Sequence, residues 1–517
     1  MSNLVKRGEK PRIVLDSFFE PMYETGPDGL PVFKMFLGGE WVSSNIGGTF
    51  NVYSPIDGSL IAKVAKATVK DAENAIDSAY ENKSKIRAIP AIDRLEIFAK
   101  ARELLLKYEN DFKNIIVTEM SKTLEGAEGE VNGVAERLRL TMEETRKIYG
   151  EYLPGDWVGD TVGKIALVIR EPKGVIGAIG SFNYPFFIPA AKIIPALLAG
   201  NAVVAKPSSD TPITLLMFGR ILEAAGIPKG AINIIPGSGR EVGGTIVKSE
   251  KINMISFTGN TNTGKQISTV AVLKDLHLEL GGKAPAIVLD DSDLDLAAKK
   301  CVEGSLKHAG QRCDAISRIL VQENIGETFV KKVLEEVEKW KMGDPRDPET
   351  KVGPLINEQA LKKVDELVKD AVNKGATLLK GGKYEGLYYE PTVLNNVPLE
   401  ARIAWEETFG PVITIIRVKN LDEAIELSNR SEYGLDAAVF TNSFYNVWKA
   451  AKALQDGEIT INDAPAHGVG NFPFGGIKDS GLGREGLGYS IDEVTSIKTI
   501  IFNLEPADLG KKRIPHF

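Results

Sequence analysis

The sequence predicts a two-lobed α/β fold with parallel sheets and a small β arm, and three observations carry that prediction. From 174 to 290, short apolar runs ending in Gly, Pro or Asn alternate with helical segments. Strand, short turn, helix, strand is the texture of a doubly wound parallel sheet. The same alternation resumes from about 284 to 484. Outside both units, 164–170 and 497–503 alternate apolar and polar residues, the period of half-exposed strands. These two segments pair either between subunits or as a small local sheet.

Residues 1–35 carry Pro and Gly with little periodicity and read as an arm that wraps the body. Helices are expected at 72–80 and 93–108, the second with Leu95, Phe98, Ala99, Ala101, Leu104 and Leu105 on one face. In the first unit the runs at 175–179, 202–205, 232–235, 254–257 and 286–289 read as strands, with helices at 213–225 and 264–273 between them. Ligands of such sheets bind at the carboxyl ends of the strands. The second unit shows helices at 293–308, 328–340, 358–374 and 422–429, and strands at 318–321, 412–418, 437–441 and 459–462. Two α/β lobes with a cleft between them suit an enzyme with two substrates.

The chain has 517 residues, too many for one ordinary domain. A formal net charge of −7 with no basic stripe argues against nucleic acid as the main partner. Two cysteines, Cys301 and Cys313, cannot build a disulfide framework and point to a reducing cytoplasm. The most apolar stretch, 188–205, is broken by Lys192, Pro189 and Pro195, so no membrane span is expected.

Several segments carry candidate chemistry. The string from Ser256 to Gln266 follows a strand and opens a helix, where backbone N–H groups can hold phosphate. It nearly matches the phosphate loop of NTPases, but Gln266 lacks the hydroxyl that loop needs for magnesium. A second turn, Gly237 to Gly243, approximates GxGxxG with its last glycine one residue too far along. Glu279 stands before two glycines and can project into a cleft. Gly310 stops the helix read at 293–308, so Cys313 begins a new element, with Arg312 beside it to favour the thiolate. Cys301 lies mid-helix and reads as an inert thiol. The spacing of Cys301, His308 and Cys313 fits no zinc pattern, so no metal is expected.

Taken together these segments resemble the aldehyde dehydrogenase superfamily from about 37 to 503. The strings, in the family's order, are SFNYP (181–185), KPSSDTP (206–212), FTGNTNTG (257–264), ELGGK (279–283), GQRC (310–313), EETFGPV (406–412), NFPFGG (471–476) and SGLGREG (480–486). The resemblance implies a Rossmann-like cofactor domain over 1–148 and 173–283, a catalytic domain over 284–484, and an oligomerisation arm over 149–172 and 485–506. It implies a homodimer or homotetramer. Cys313 would be the nucleophile that forms a thioester. Asn183 and the Cys313 backbone N–H would form the oxyanion hole, and Glu279 would activate the hydrolytic water.

For NADP or NAD the resemblance implies Lys206 at the adenosine ribose, with Ser208 and Ser209 beside it, and Gly239, Gly243 and Gly259 near the diphosphate. Ser181, Phe182, Phe257, Thr258, Asn260 and Leu280 would line the crevice. Glu407 would hold the nicotinamide ribose, with Phe409 at the nicotinamide end. NAD-preferring members often carry Glu where this chain has Ser209, which removes repulsion toward a 2′-phosphate and favours NADP. Asn260 replaces the commoner Ser.

Within the superfamily the chain looks most like the non-phosphorylating glyceraldehyde-3-phosphate dehydrogenases of archaeal type. In that group a Tyr and an Arg grip the substrate phosphate, and Tyr184 and Arg312 stand in their places. A third basic contact aligns with His467. A fourth falls at Gly133, with Arg137 and Arg139 one turn away. The expected reaction is oxidation of glyceraldehyde 3-phosphate to 3-phosphoglycerate, a glycolytic step. Alternatives are another small aldehyde such as a semialdehyde or glyceraldehyde, a phosphate-loop NTPase on 259–265, and a non-catalytic relative.

Overall fold

The structure, a computed structural model, describes residues 5–504. Its first sheet has a parallel core of five strands: β1 (Val175–Ile179), β2 (Ala202–Lys206), β3 (Ile232–Ile234), β4 (Met254–Thr258) and β5 (Asp275–Glu279). They lie side by side in the order 3-2-1-4-5. The order reverses between β1 and β4, so the loops after these two strands diverge and leave a crevice at their carboxyl ends. Antiparallel edges close the sheet: Met35–Leu37 and Glu40–Val42 beyond β3, and Gly481–Leu482 beyond β5.

The second sheet has six parallel strands: β6 (Pro285–Val288), β7 (Arg318–Gln322), β8 (Thr392–Asn395), β9 (Val412–Val418), β10 (Asp436–Phe440) and β11 (Glu458–Ile461). Their order is 8-9-7-6-10-11, with Thr377–Lys380 antiparallel outside β8. Each sheet is buried between helices, and β1, β2, β3, β6 and β10 are buried along their whole length. This agrees with their β-branched, uninterrupted sequences. A third, three-stranded antiparallel sheet joins Glu151–Pro154, Lys164–Pro172 and Thr495–Asn503. Within one chain, therefore, the two alternating segments pair with each other, in continuous register from Thr495 opposite Pro172 to Asn503 opposite Lys164.

The structure corrects several element readings. The run at 286–289 belongs to the second sheet as β6, not to the first. The fifth strand of the first sheet is β5, hidden because His277 and Glu279 break its apolar run. Helix 293–308 ends at Leu306, and His308 and Ala309 turn left-handed. The segment at 1–35 is no mere arm: Phe19 and Met22 are fully buried, and Phe18 stacks on Tyr108 with ring centres 4.3 Å apart. Residues 1–4 of that segment, and 505 and 506 of the expected oligomerisation arm, lie outside the described residues.

Two helices of the first lobe begin without a side-chain cap of their own: Ile213–Ala225 after Pro212 and Phe187–Leu198 after Phe186. Remote carboxylates cap them instead. Glu119 accepts from Ile213 N and Thr214 N, both at 2.9 Å, and Glu130 accepts from Phe186 N and Phe187 N, both at 2.9 Å. Such caps satisfy otherwise orphaned buried N–H groups. Burial pushes the Glu119 carboxyl up to about 7, against the hydrogen bonds from Thr214 and Ile213 that favour its ionised form. The native state thus holds this proton more tightly than the unfolded chain, whose ordinary value is 4.5. Glu119's contribution is full below the unfolded value and is lost as pH rises through about 7. The stability difference between wild type and Glu119→Gln, measured by urea unfolding, is expected to shrink steadily from pH 5 to pH 7.5. A pH-independent difference would contradict this reading.

Candidate active site

The crevice collects residues from the carboxyl ends of the first sheet and from two loops of the second lobe. After β1 the chain runs through Ser181, Phe182, Asn183 and Tyr184 into the helix Phe187–Leu198 that Glu130 caps. Asn183 is buried. Its Oδ1 accepts from Ser181 Oγ at 2.8 Å, and its Nδ2 donates to Gln311 O at 3.0 Å. One amide proton of Asn183 remains for a ligand.

The loop before Cys313 is strained. His308, Ala309 and Gly310 have φ of 56°, 53° and 68°, and each non-glycine residue there costs on the order of 1–3 kcal/mol. Two close approaches keep the loop folded this way. A Cβ on Gly310 would lie 2.1 Å from Gly410 O, and one on Gly282 would lie 2.3 Å from Cys313 O. The Gln311 side chain is held as well, accepting from Ile356 N at 2.9 Å. Cys313, partly exposed, is thus pinned against the Gly281–Gly282 turn that follows Glu279.

The electrostatics at Cys313 differ from the sequence expectation. Burial and the carboxylates of Asp314, Asp436, Glu279 and Glu407 push its thiol well above the ordinary range. Arg312 opposes them but is outweighed. Its guanidinium donates to Gly304 O at 3.0 Å and pairs with Asp314 at 3.3 Å. The site thus favours the neutral thiol at rest. Cys301 is buried in the core, and burial alone pushes its thiol up.

Glu279, the last residue of β5, is buried, and neither of its carboxylate oxygens has a hydrogen-bond partner. Burial raises its pKa, with His277 and Lys192 opposing and Glu485 reinforcing. Its strand is fixed on the far side by Ser480, whose carbonyl accepts from Leu280 N and whose hydroxyl donates to Gly281 O. Such a carboxyl group can accept a proton from water.

The nucleotide candidates gather along the same edge. Lys206 ends β2 with Nζ donating to Pro207 O at 2.9 Å, and burial lowers its pKa to about 8, against the pull of Asp210. Ser209 donates to Gly237 O at 3.1 Å, and Ser208 accepts from Asp210 N at 3.3 Å. Gly239 faces open space, and Gly243 lies beside the Lys206 stem, so this floor admits a ligand that a side chain would fill. After β4, Phe257, Thr258 and Gly259 lead to Asn260. Its Oδ1 accepts from Asn262 N at 2.9 Å and caps the helix Thr261–Val270. Asn at this position therefore does a cap's work, as Ser would. Leu280 covers Gly264. Glu407 accepts from Gly282 N at 3.2 Å, and Phe409, itself left-handed at φ 51°, meets Phe182 edge-on at 5.7 Å. Buried lysine, open glycines and a ten-residue helix N-terminus fit a dinucleotide.

The basic residues proposed for an anionic substrate tail divide. Tyr184 and Arg312 lie near each other, close enough for the guanidinium to act on the phenol. Lys122, which the sequence reading missed, places Nζ 3.3 Å from the centre of the Tyr184 ring and pairs with Glu130 at 2.5 Å. Burial lowers Lys122 to about 8, with Glu130 opposing. His467 stacks on Phe474 at 4.1 Å with Nδ1 unpartnered, and burial keeps it neutral. Arg137 does not meet the expectation. It is buried, donates to Val469 O at 3.1 Å and faces Glu485 at 3.5 Å, bracing the 469–490 segment. Arg139 turns to solvent with Glu136 and Glu143. Gly133 packs against the Phe187 ring.

The sequence profile of the aldehyde dehydrogenase family matches residues 41–500. This chain belongs to the aldehyde dehydrogenase family. It is 39% identical over 473 residues to an NADP-dependent glyceraldehyde-3-phosphate dehydrogenase of Streptococcus equinus, covering 91% of this chain and 99% of that one. It is 36% identical to a 3-sulfolactaldehyde dehydrogenase of Priestia aryabhattai, covering 91% and 98%. The solved NADP complex of an NADP-dependent glyceraldehyde-3-phosphate dehydrogenase from Bacillus halodurans C-125 superimposes with a TM-score of 0.90 at 38% identity, covering 91% of this chain and 99% of that one. The chain is thus an aldehyde-oxidising oxidoreductase of a family that uses NAD(P). The phosphate-loop NTPase reading falls, since Lys265 is engaged by Asp479 on the surface. Among the described residues no helix is long and apolar enough to cross a membrane, and no group of three metal-ligating side chains converges.

A neutral resting thiol has a measurable consequence. Alkylation of Cys313 by iodoacetamide, read as loss of activity in the absence of cofactor, should be slow at pH 7 and climb without a plateau to at least pH 9. A plateau below pH 8 would mean that the thiolate is favoured after all.

Proposed function

We infer that this chain oxidises glyceraldehyde 3-phosphate to 3-phosphoglycerate with NADP as the preferred acceptor and without phosphate incorporation. The observation that carries the reading is the cluster beside Cys313, where Tyr184 is flanked by Arg312 and Lys122. A guanidinium and an ammonium around a phenol suit a dianionic tail. The relatives named above support it from outside, since one is named for a phosphorylated aldehyde and the other for a sulfonated one. The neutral His467 offers less to a phosphate than an arginine would. A sulfonated aldehyde, with one charge fewer, is therefore the second reading.

In this scheme the Cys313 thiol gives up its proton to solvent and the sulfur adds to the aldehyde carbon. The free amide proton of Asn183 and the Cys313 N–H meet the oxygen as charge develops on it. Bound NADP supplies the hydride acceptor, held by Lys206, Ser209, the Gly239–Gly243 floor and Glu407. Glu279 then takes a proton from water as that water attacks the Cys313 thioester, and the sulfur leaves as thiolate. Residues 149–172 and 485–506 would form the arm through which copies of the chain assemble as a homodimer or homotetramer, in a cytoplasmic enzyme.

The test is NADPH formation in phosphate-free buffer with glyceraldehyde 3-phosphate, glyceraldehyde, 3-sulfolactaldehyde and succinate semialdehyde. Cys313→Ser should abolish turnover with all of them. Arg312→Ala should raise KM for glyceraldehyde 3-phosphate by at least about ten-fold, as expected for a charge-assisted contact of 1.5–3 kcal/mol, and leave glyceraldehyde unchanged. Equal turnover of glyceraldehyde and its phosphate by the wild type would remove the phosphate reading. For the cofactor, Ser209→Glu is expected to raise KM for NADP by at least about ten-fold while leaving KM for NAD nearly constant. An unchanged NADP-to-NAD ratio would mean that Ser209 does not face the 2′-phosphate.

A further inference from the structure

Two positions before Glu279, on the same face of β5, stands a histidine to which the scheme above gives no role. His277 is buried. Strand geometry points it and Glu279 the same way, and its Nε2 lies 3.2 Å from Glu279 Oε1. That approach is an ion-pair contact rather than an aligned hydrogen bond, because neither atom finds a hydrogen-bond partner. On the other side of the ring, Nδ1 lies 2.5 Å from Glu493 Oε2. Glu493 ends the helix Leu487–Glu493, and its other oxygen accepts from Arg484 N at 2.7 Å. Space for this pair is made by Gly483, at φ 89°. A Cβ there would lie 2.4 Å from Glu493 Oε1 and 2.9 Å from His277 Nδ1. Gly475 makes the matching allowance at Glu279, where a Cβ would lie 3.1 Å from Oε1.

We propose that His277 is a positioning residue for Glu279, clamped by Glu493 so that its imidazolium holds the base carboxylate ionised and aimed at the thioester. The inference rests on the reading of Glu279 as the base. The other charged groups facing the pair are Lys192, from the helix Phe187–Leu198, and Glu485, both buried and 3.9 Å apart. Burial works against a charged His277 and Lys192 repels it, but the two carboxylates on either side outweigh both and raise it to about 9. The same contact draws Glu279 downward, against its own burial. An imidazolium between the two carboxylates engages Glu279 Oε1 and leaves Oε2 for water. Water activation needs the ionised carboxylate, so loss of the imidazolium moves the onset of hydrolysis to higher pH.

The experiment compares wild type, His277→Gln, Glu493→Gln and Glu279→Gln as full-length enzyme with glyceraldehyde 3-phosphate and NADP, or with whichever aldehyde the panel selects. In His277→Gln the acid limb of the kcat–pH profile should move up by about one unit, close to a ten-fold loss of turnover on that limb. Intact-mass analysis of enzyme quenched during turnover should show more acylated Cys313 than in wild type. The ratio kcat/KM for the aldehyde should not change, because acylation precedes the step that Glu279 serves, so KM falls together with kcat. Glu493→Gln, at a position with a 25% exposed side chain, should shift the limb in the same direction by less. An unshifted acid limb in both variants overturns the proposal, and so does a loss of turnover without acylated Cys313. Glu279→Gln separates the two levels of inference. If it hydrolyses as fast as wild type, the base assignment itself fails; if it accumulates acyl-enzyme while both His277→Gln and Glu493→Gln behave as wild type, only the role of His277 fails.

Discussion

The crevice depends on a carboxylate that takes no part in chemistry. Glu130, fully buried in the helix Leu124–Thr145, accepts from the first two N–H groups of the segment that follows Tyr184 and pairs with Lys122. Its two oxygens therefore fix three things: the start of the helix Phe187–Leu198, the exit of the loop bearing Asn183, and the ammonium over the Tyr184 ring. A buried ion pair is costly to break because the surviving charge is left without solvent or partner, typically 3–5 kcal/mol. Loss of Glu130 would strike the fold and the substrate pocket together. Asn183 extends this chain of contacts across the cleft to Gln311 O.

Much of the architecture could be read from residues alone, because a parallel strand buried on both faces announces itself as an unbroken β-branched run. Val175–Ile179 and Val412–Val418 were visible in that way. The strand that escaped was Asp275–Glu279, whose pattern is broken by the two polar groups lodged in its interior. Its illegibility and its importance have one cause. Leu124–Thr145 escaped because Gly126, Gly129 and Gly133 weaken its helical signature. Phe187–Leu198 escaped because a helix buried all round has no polar face to reveal its period.

At the site, short strings single out Cys313, Glu279 and Asn183 as candidates, but they do not reveal the electrostatics around them. Adjacency in sequence suggested that Arg312 would lower the thiol. In space the guanidinium is turned toward Asp314 and Gly304, and four carboxylates act on the sulfur instead. Lys122 and His277 carry no local signature; each matters only through a neighbour brought close by the fold. Arg137 fails for the converse reason. Proximity along a helix placed it near an expected contact, while its rotamer carries it into the 469–490 segment.

The clamp on β5 comes from late in the chain. Ser480 bonds Leu280 and Gly281, Gly481–Leu482 adds the edge strand, and Glu493 holds His277. During synthesis the first lobe's parallel core is therefore complete some two hundred residues before the contacts that hold Glu279 are made. If Glu279 is the base proposed above, a chain still emerging from the ribosome would have its parallel core before it has the contacts that hold that base in place.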